Sequence, residues 1–349
     1  MMCARQLAAA RWFKSIFAGW VLAFCAGTGS VGAELTLQLS FNDPGRKWAG
    51  FHPTITSNLK AAVQDWGQYL ESGASLEVEI AFVEDHYFRV HGSSVASSPF
   101  TTTDSARVYE QGAATEIRTG KDPNGSAPDI RLEIGTHYLA NRLWFDPDPV
   151  LRAAPVPADK VDALSVFMHE IGHALGFNGW TSPYDGSCSE QQKSTFDRWV
   201  RFDGTNFFFH GPQAMANYGG PVPLTYGNVF HVGNAAPRPG RELASDVMNG
   251  EANVCGERYY LSRLDLGMLA DAGLPVKIPL PALTGARLDA GRVQFQVNGP
   301  RSRWYRVEVS TDLVHWAWVM DYISTHSAMT IVPEDDFGSI RRYYRAQIF

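Results

Sequence analysis

The sequence predicts an α+β fold in two parts, a mixed twisted sheet packed on two helices and then a small all-β sandwich. Three features carry this prediction. Extended and helical patterns alternate between residues 34 and 175, residues 176 to about 255 are irregular and rich in glycine and aromatics, and only short strands follow a proline-rich stretch at 275–283. A length of 349 residues suits about two domains.

In chain order, "TLQLSF" (36–41) reads as a strand. In 55–71, Leu59, Ala62, Val63, Trp66 and Leu70 recur at helical spacing, with Thr56 or Ser57 as N-cap. "SLEVEIAFV" (75–83) alternates apolar and polar residues, as a strand with one buried face does. Further extended stretches fall at 107–118 and at "DIRLEIG" (129–135), the latter read as the sheet edge. A turn-rich segment with four prolines (143–160) leads into a helix over about 159–175. "STFDRWVRFDG" (194–204) suits a short helix or strand. "LSRLDLGMLADAGL" (261–274) is an amphipathic helix stopped by Gly273 and Pro275. The strands beyond are 292–297, 304–310, 316–323 and 342–349.

The hydrophobic share is 45%, the charged share 19% and the net charge −6, which argues against nucleic acid or an anionic membrane as the main partner. Arg5, Arg11 and Lys14 precede an apolar run from Ile16 to Ala26 and small residues ending at Ala33. This is the layout of a signal peptide over 1–33, and it predicts a secreted or periplasmic chain with no span in its mature part. Cys188 and Cys255 then remain. Two cysteines in an oxidising compartment predict one disulfide, closing a loop of 68 residues and contributing ~4 kcal/mol. Asp122 and the acidic pairs at 146–149 read as turn formers rather than calcium ligands.

The chemistry concentrates in "SVFMHEIGHALGFNGW" (165–180). On a helix, His169 and His173 lie one turn apart on one face, a spacing that lets two imidazoles bind one zinc ion. Glu170, between them, is placed to take a proton from attacking water as general base and return it to a leaving amine. The rest of the helix is apolar, so these polar groups need partners.

"HEIGHALGF" resembles the start of the metzincin motif HExxHxxGxxH, with Gly176 at its glycine. "SDVMNG" (245–250) resembles the family's methionine turn and offers Met248, and 261–274 resembles its C-terminal helix. The resemblance spans about 34–276. It implies a metzincin-like catalytic domain that hydrolyses peptide or protein substrates with zinc. The departure is Gly179, which stands where the compact motif has its third histidine. Beyond the helix the candidates are His210 and His231. Leishmanolysin-like metzincins insert a long segment before the third ligand. By that resemblance His231 is the ligand, after a 54-residue insertion (177–230) and 17 residues before Met248. Glu190, Glu242 and Glu251 are alternatives from a different zinc-protease branch, Glu242 being the best placed.

The division implied is 34–276 catalytic, 277–283 linker and 284–349 β-sandwich. In the last part Trp304, Tyr305, Trp316 and Trp318 suit either a core or a face for carbohydrate or another surface. Two other functional readings remain: a non-catalytic zinc-containing binding or adhesion protein, and an amidase using the same motif.

Overall fold

The computed structural model describes residues 35–84, 89–103, 106–251, 253–289, 292–333 and 341–348; the proposed signal peptide lies outside them. The chain adopts a mixed α+β fold with several sheets. β1 (Thr36–Asn42) leads through α1 (His52–Gly67) to β2 (Ser75–Val83), which pairs with β1 in parallel. Pro53 sits in the first turn of α1, where its missing N–H costs nothing, so the helix starts three residues before the expected position.

β3 (Val90–Ser94), β4 (Ser97–Thr102) and β5 (Arg107–Gln111) follow, then α2 (Gly112–Thr119), β6 (Ile130–Gly135) and α3 (Thr136–Asn141). Two expectations change here. The stretch 107–118 is half strand and half helix, because Ala113, Ala114 and Ile117 bury one helical face in the core. And "DIRLEIG" is not the edge. The order is β1-β2-β6-β3, with β3 folding back antiparallel along β6 and taking the edge for itself.

A pair of two-residue strands, β7 (Leu143–Trp144) and β8 (Val161–Asp162), precedes α4 (Ala163–Leu175). Asp162 caps this helix, its Oδ2 accepting the Ser165 N–H at 3.1 Å. α4 packs on α1, and the Trp66 indole N–H donates to the Met168 carbonyl at 3.0 Å across the contact. Leu76, Val78 and Ile80 of β2 and Ile130, Leu132 and Ile134 of β6 are fully buried and continue the same core.

The insertion builds β9 (Gln192–Ser194), β10 (Val200–Phe202), β11 (Phe207–Phe209), α5 (Pro212–Tyr218) and β12 (Val222–Leu224), with a 3-10 turn at Asp197–Trp199. Phe196, Phe207, Phe209, Val222 and Leu224 join the main core, so this segment is packed structure. α6 (Arg263–Asp271) closes the region, with a reciprocal cap between Ser262 and Asp265.

Cys188 and Cys255 are both free, which overturns the expected disulfide. They belong to elements that fold apart. Cys188 lies in the insertion near the Gln192 carbonyl, whereas Cys255 Sγ accepts from Arg142 Nη2 at 3.0 Å, next to α3. Two cysteines in one compartment still need backbones within about 7 Å to bridge.

Beyond Leu274 the chain runs beside the end of α1, Lys277 N–H donating to the Tyr69 carbonyl at 2.8 Å. β13 (Ala282–Asp289), β14 (Arg292–Asn298), β15 (Trp304–Ser310), β16 (Ala317–Ile323), β17 (Ala328–Ile331) and β18 (Tyr343–Ile348) form two three-stranded sheets, β13-β14-β17 and β16-β15-β18. Phe295, Val297, Tyr305, Val307, Ile331 and Ile348 form a second core. Tyr305 is thus interior, while Trp304 and Trp318 are exposed. Among the described residues no helix is long and apolar enough to cross a membrane.

Candidate metal centre

α4 delivers His169 and His173 from one face, and His231 reaches them from the end of the insertion. The Nε2 atoms lie 3.1 Å apart for His169–His173, 3.1 Å for His169–His231 and 3.0 Å for His173–His231. His231 is placed by main-chain bonds on both sides. Its carbonyl accepts the Thr225 N–H at 3.0 Å, and the next residue, Val232, donates to the Met248 carbonyl at 2.9 Å.

Each ring turns its other nitrogen to a main-chain carbonyl. Nδ1 of His169 meets Val247 O at 2.7 Å, that of His173 meets Phe177 O at 2.7 Å, and that of His231 meets Asn228 O at 3.2 Å. A carbonyl only accepts, so each neutral ring has its proton on Nδ1 and three bare Nε2 lone pairs converge. Protonation does not relieve them. Burial, then His169, pushes His173 down to about 3. Burial lowers His169 as well, and burial followed by the other two rings holds His231 well below its ordinary value. The cluster is able to coordinate a metal ion. Tetrahedral zinc with Zn–N bonds of ~2.0–2.1 Å separates its nitrogens by ~3.3 Å, so the donor set fits that ion.

Glu170 is buried beside the triad, and its Oε2 accepts the Gly92 N–H of β3 at 2.7 Å. Burial pushes its carboxyl up to about 8, against the pull of that hydrogen bond. Gly92 has no room for a side chain, since a Cβ there would meet Glu170 Cβ and its carbonyl oxygen at 2.6 Å. The edge strand is therefore pressed directly on the catalytic candidate.

Met248 lies fully buried against α4 at Gly172, where a Cβ would fall 2.5 Å from Met248 Sδ. Gly176 has an extended φ of 174°, and its missing side chain makes room for Leu269 of α6, 2.9 Å from where a Cβ would stand. At Gly179 the space is taken by Asp197, whose carboxylate accepts the N–H of Trp180 at 2.9 Å and of Thr181 at 3.1 Å. His210 stays on the β10–β11 side, its N–H bonded to Trp199 O, and Glu242 accepts from the Tyr218 hydroxyl at the surface; neither joins the histidine cluster.

A cleft of about 410 Å³ opens over the triad, lined among others by Arg89, His91, Tyr138, Phe230 and Asn249. Gly92 and Tyr138 are site residues that the sequence does not flag. "VHGSS" has no alternating pattern, and a lone tyrosine on a short helix carries no signal. Comparisons with protein-family models, curated proteins and solved structures give no match for this chain.

Proposed function

We propose that the chain is a zinc-dependent endopeptidase of metzincin type, exported as its N-terminal pattern implies. The observation that carries this reading is the convergence of three unprotonated Nε2 atoms beside a buried glutamate in an open cleft. His169, His173 and His231 would hold the zinc ion, which when bound would supply Lewis acidity towards a water and a substrate carbonyl. Glu170 takes the proton of the attacking water as oxygen bonds to the scissile carbon. The C–N bond then breaks, and Glu170 returns the proton to the departing amine. A nearby cation favours the carboxylate and counters the burial that raises this group.

The edge strand favours an extended peptide as substrate. The Gly135 N–H donates to Arg89 O and the Val95 N–H to Asp129 O, so odd-numbered residues of this strand face β6. The main-chain groups of Val90 and Ser94 point the other way, as a template for a further strand, while the Gly92 N–H between them is taken by Glu170.

The test compares zinc content and cleavage of casein or peptides. Glu170→Ala keeps zinc and loses cleavage, His231→Ala loses both, and His210→Ala loses neither. Full zinc and activity in His231→Ala would overturn the ligand assignment. Zinc-loaded wild type that cleaves no peptide would favour a binding protein, and one that hydrolyses only small amides an amidase.

A further inference from the structure

A second acidic group lies away from the histidines, at the start of β2, on α2 and just ahead of β6. Glu77, Glu116 and Asp129 each bring a carboxylate oxygen within 4.8 Å of the others. Every one of the three is pinned by one oxygen. The Ser75 N–H donates to Glu116 Oε1 at 3.2 Å, the Glu77 N–H to Asp129 Oδ2 at 2.8 Å, and the Gln38 amide to Glu77 Oε1 at 3.2 Å. The second oxygens of the two buried members, Glu116 Oε2 and Asp129 Oδ1, accept nothing from the protein. Glu116 is 6% exposed and Asp129 1%. Among the described residues, none of the three pairs with a lysine, arginine or histidine.

Buried carboxylate oxygens without a donor cost several kcal/mol unless a proton or a cation meets them. Burial and then Asp129 raise Glu116 to about 7, so at neutral pH a proton covers the cluster only part of the time and leaves charge for a cation to meet. The donor set is all oxygen, with no imidazole or thiol, which selects a hard cation. Glu77 is only half-buried, leaving an open side through which water completes the shell. Calcium takes six to eight oxygens in a flexible shell, whereas magnesium demands a near-ideal octahedron.

We propose that Glu77, Glu116 and Asp129 form a calcium site that ties α2 to β2 and β6. The histidine triad takes no part in it, so the inference stands apart from the peptidase reading.

The experiment uses the whole protein, held in zinc and dialysed free of calcium, and titrates CaCl₂ by calorimetry while following Tm. One calcium binds per chain and Tm rises. Glu116→Gln, isosteric and fixed in the neutral form, folds and loses roughly tenfold or more in calcium affinity, as ligand charge sets affinity in such sites. Glu77→Gln, at the open side, weakens binding in the same direction. Neither heat nor a Tm shift at millimolar calcium would overturn the proposal and leave a proton-sharing cluster. Calcium binding unchanged in both variants would also overturn it, by locating the ion elsewhere. No peptide cleavage is measured, so failure here and failure of the peptidase reading are distinguishable.

Discussion

Gly172→Ala adds one methyl group to the middle of α4, and its effect can be worked from the contacts around it. The new Cβ falls 2.5 Å from Met248 Sδ, 3.0 Å from Met248 Cε and 3.2 Å from Trp66 Cζ2. Carbon contacts are comfortable at ~3.5–4.0 Å, so the overlap with the thioether is about 1 Å. A methionine elsewhere swings aside. Here both Met248 and Trp66 are fully buried, and the Trp66 N–H is held by Met168 O. Overpacking of this kind costs ~1–3 kcal/mol, and exchanging a helical glycine for alanine returns ~1 kcal/mol.

The remaining strain leaves by the softer route, outward displacement of the turn that carries Met248. That turn also carries Val247 O, which orients His169, and Met248 O, which holds Val232 next to His231. Two of the three proposed ligands therefore move with it. Each ~1.4 kcal/mol of strain released this way weakens zinc binding tenfold. Chelator competition measures that affinity, and urea unfolding of the zinc-free protein measures the rest. Met248→Ala alone opens a cavity costing ~2–5 kcal/mol, but in the Gly172→Ala background the added methyl fills part of it. The double variant is then more stable than the sum of the singles by ~1 kcal/mol or more. Additive energies together with unchanged zinc affinity would refute the contact as the origin of the effect.

Three further outcomes follow from the same structure. Unfolded, unreduced protein comprising residues 34–349 carries two titratable thiols, and Cys188→Ala or Cys255→Ala each costs under ~1 kcal/mol, against the ~2–5 kcal/mol lost with a native disulfide; a single large loss would restore the bridge. Asp197→Ala strands four donors, the N–H groups of Trp180, Thr181 and Ser194 and the Thr181 hydroxyl, and costs ~2–4 kcal/mol by urea unfolding; a loss within ~0.5 kcal/mol would show that the latch is not holding the insertion. Burial, then Asp246, holds the Asp265 carboxyl well above its usual range. The folded chain thus keeps a proton that the unfolded chain releases above pH ~4, and stability falls as pH rises from there towards the folded pKa, by at most ~1.4 kcal/mol per pH unit. Asp265→Asn, neutral throughout, gives a flatter stability curve from pH 5 to 8, whereas parallel curves for the two proteins would remove Asp265 from the account.

Legibility in the sequence followed how local each constraint is. β2 announces itself because one face is buried and the other is not, and α4 because nearly all of it is. α2 stays hidden, since Gly112 and two threonines dilute its pattern, and only packing by Ala113, Ala114 and Ile117 decides it. β3 is hidden for the opposite reason. At its centre it presents a glycine to α4 and main-chain groups to the cleft, so no apolar rhythm is needed. The disulfide failed because compartment and number say nothing about distance. His169, Glu170 and His173 were readable from helical spacing. Only a family resemblance singled out His231, because no local rule links it to α4.

How His231, 58 residues beyond His173, comes to be held with its Nε2 3.0 Å from that of His173 is a question of loop entropy. The compact motif closes in six residues. Stretching a slack loop about tenfold adds ~2 kcal/mol of closure cost, at ~0.6 kcal/mol per doubling. That cost would fall on metal affinity each time the site assembled. The insertion avoids it by folding: Phe177, Phe196, Phe207 and Phe209 enter the core, Asp197 fastens the segment's start, and the Val232–Met248 bond fastens its end. His231 thereby belongs to the same rigid unit as the Met248 turn, and Gly172 docks that unit on α4. The proposed third ligand is distant in sequence and local in structure, so what would stand in for a side chain at Gly179 is a subdomain rather than a single residue.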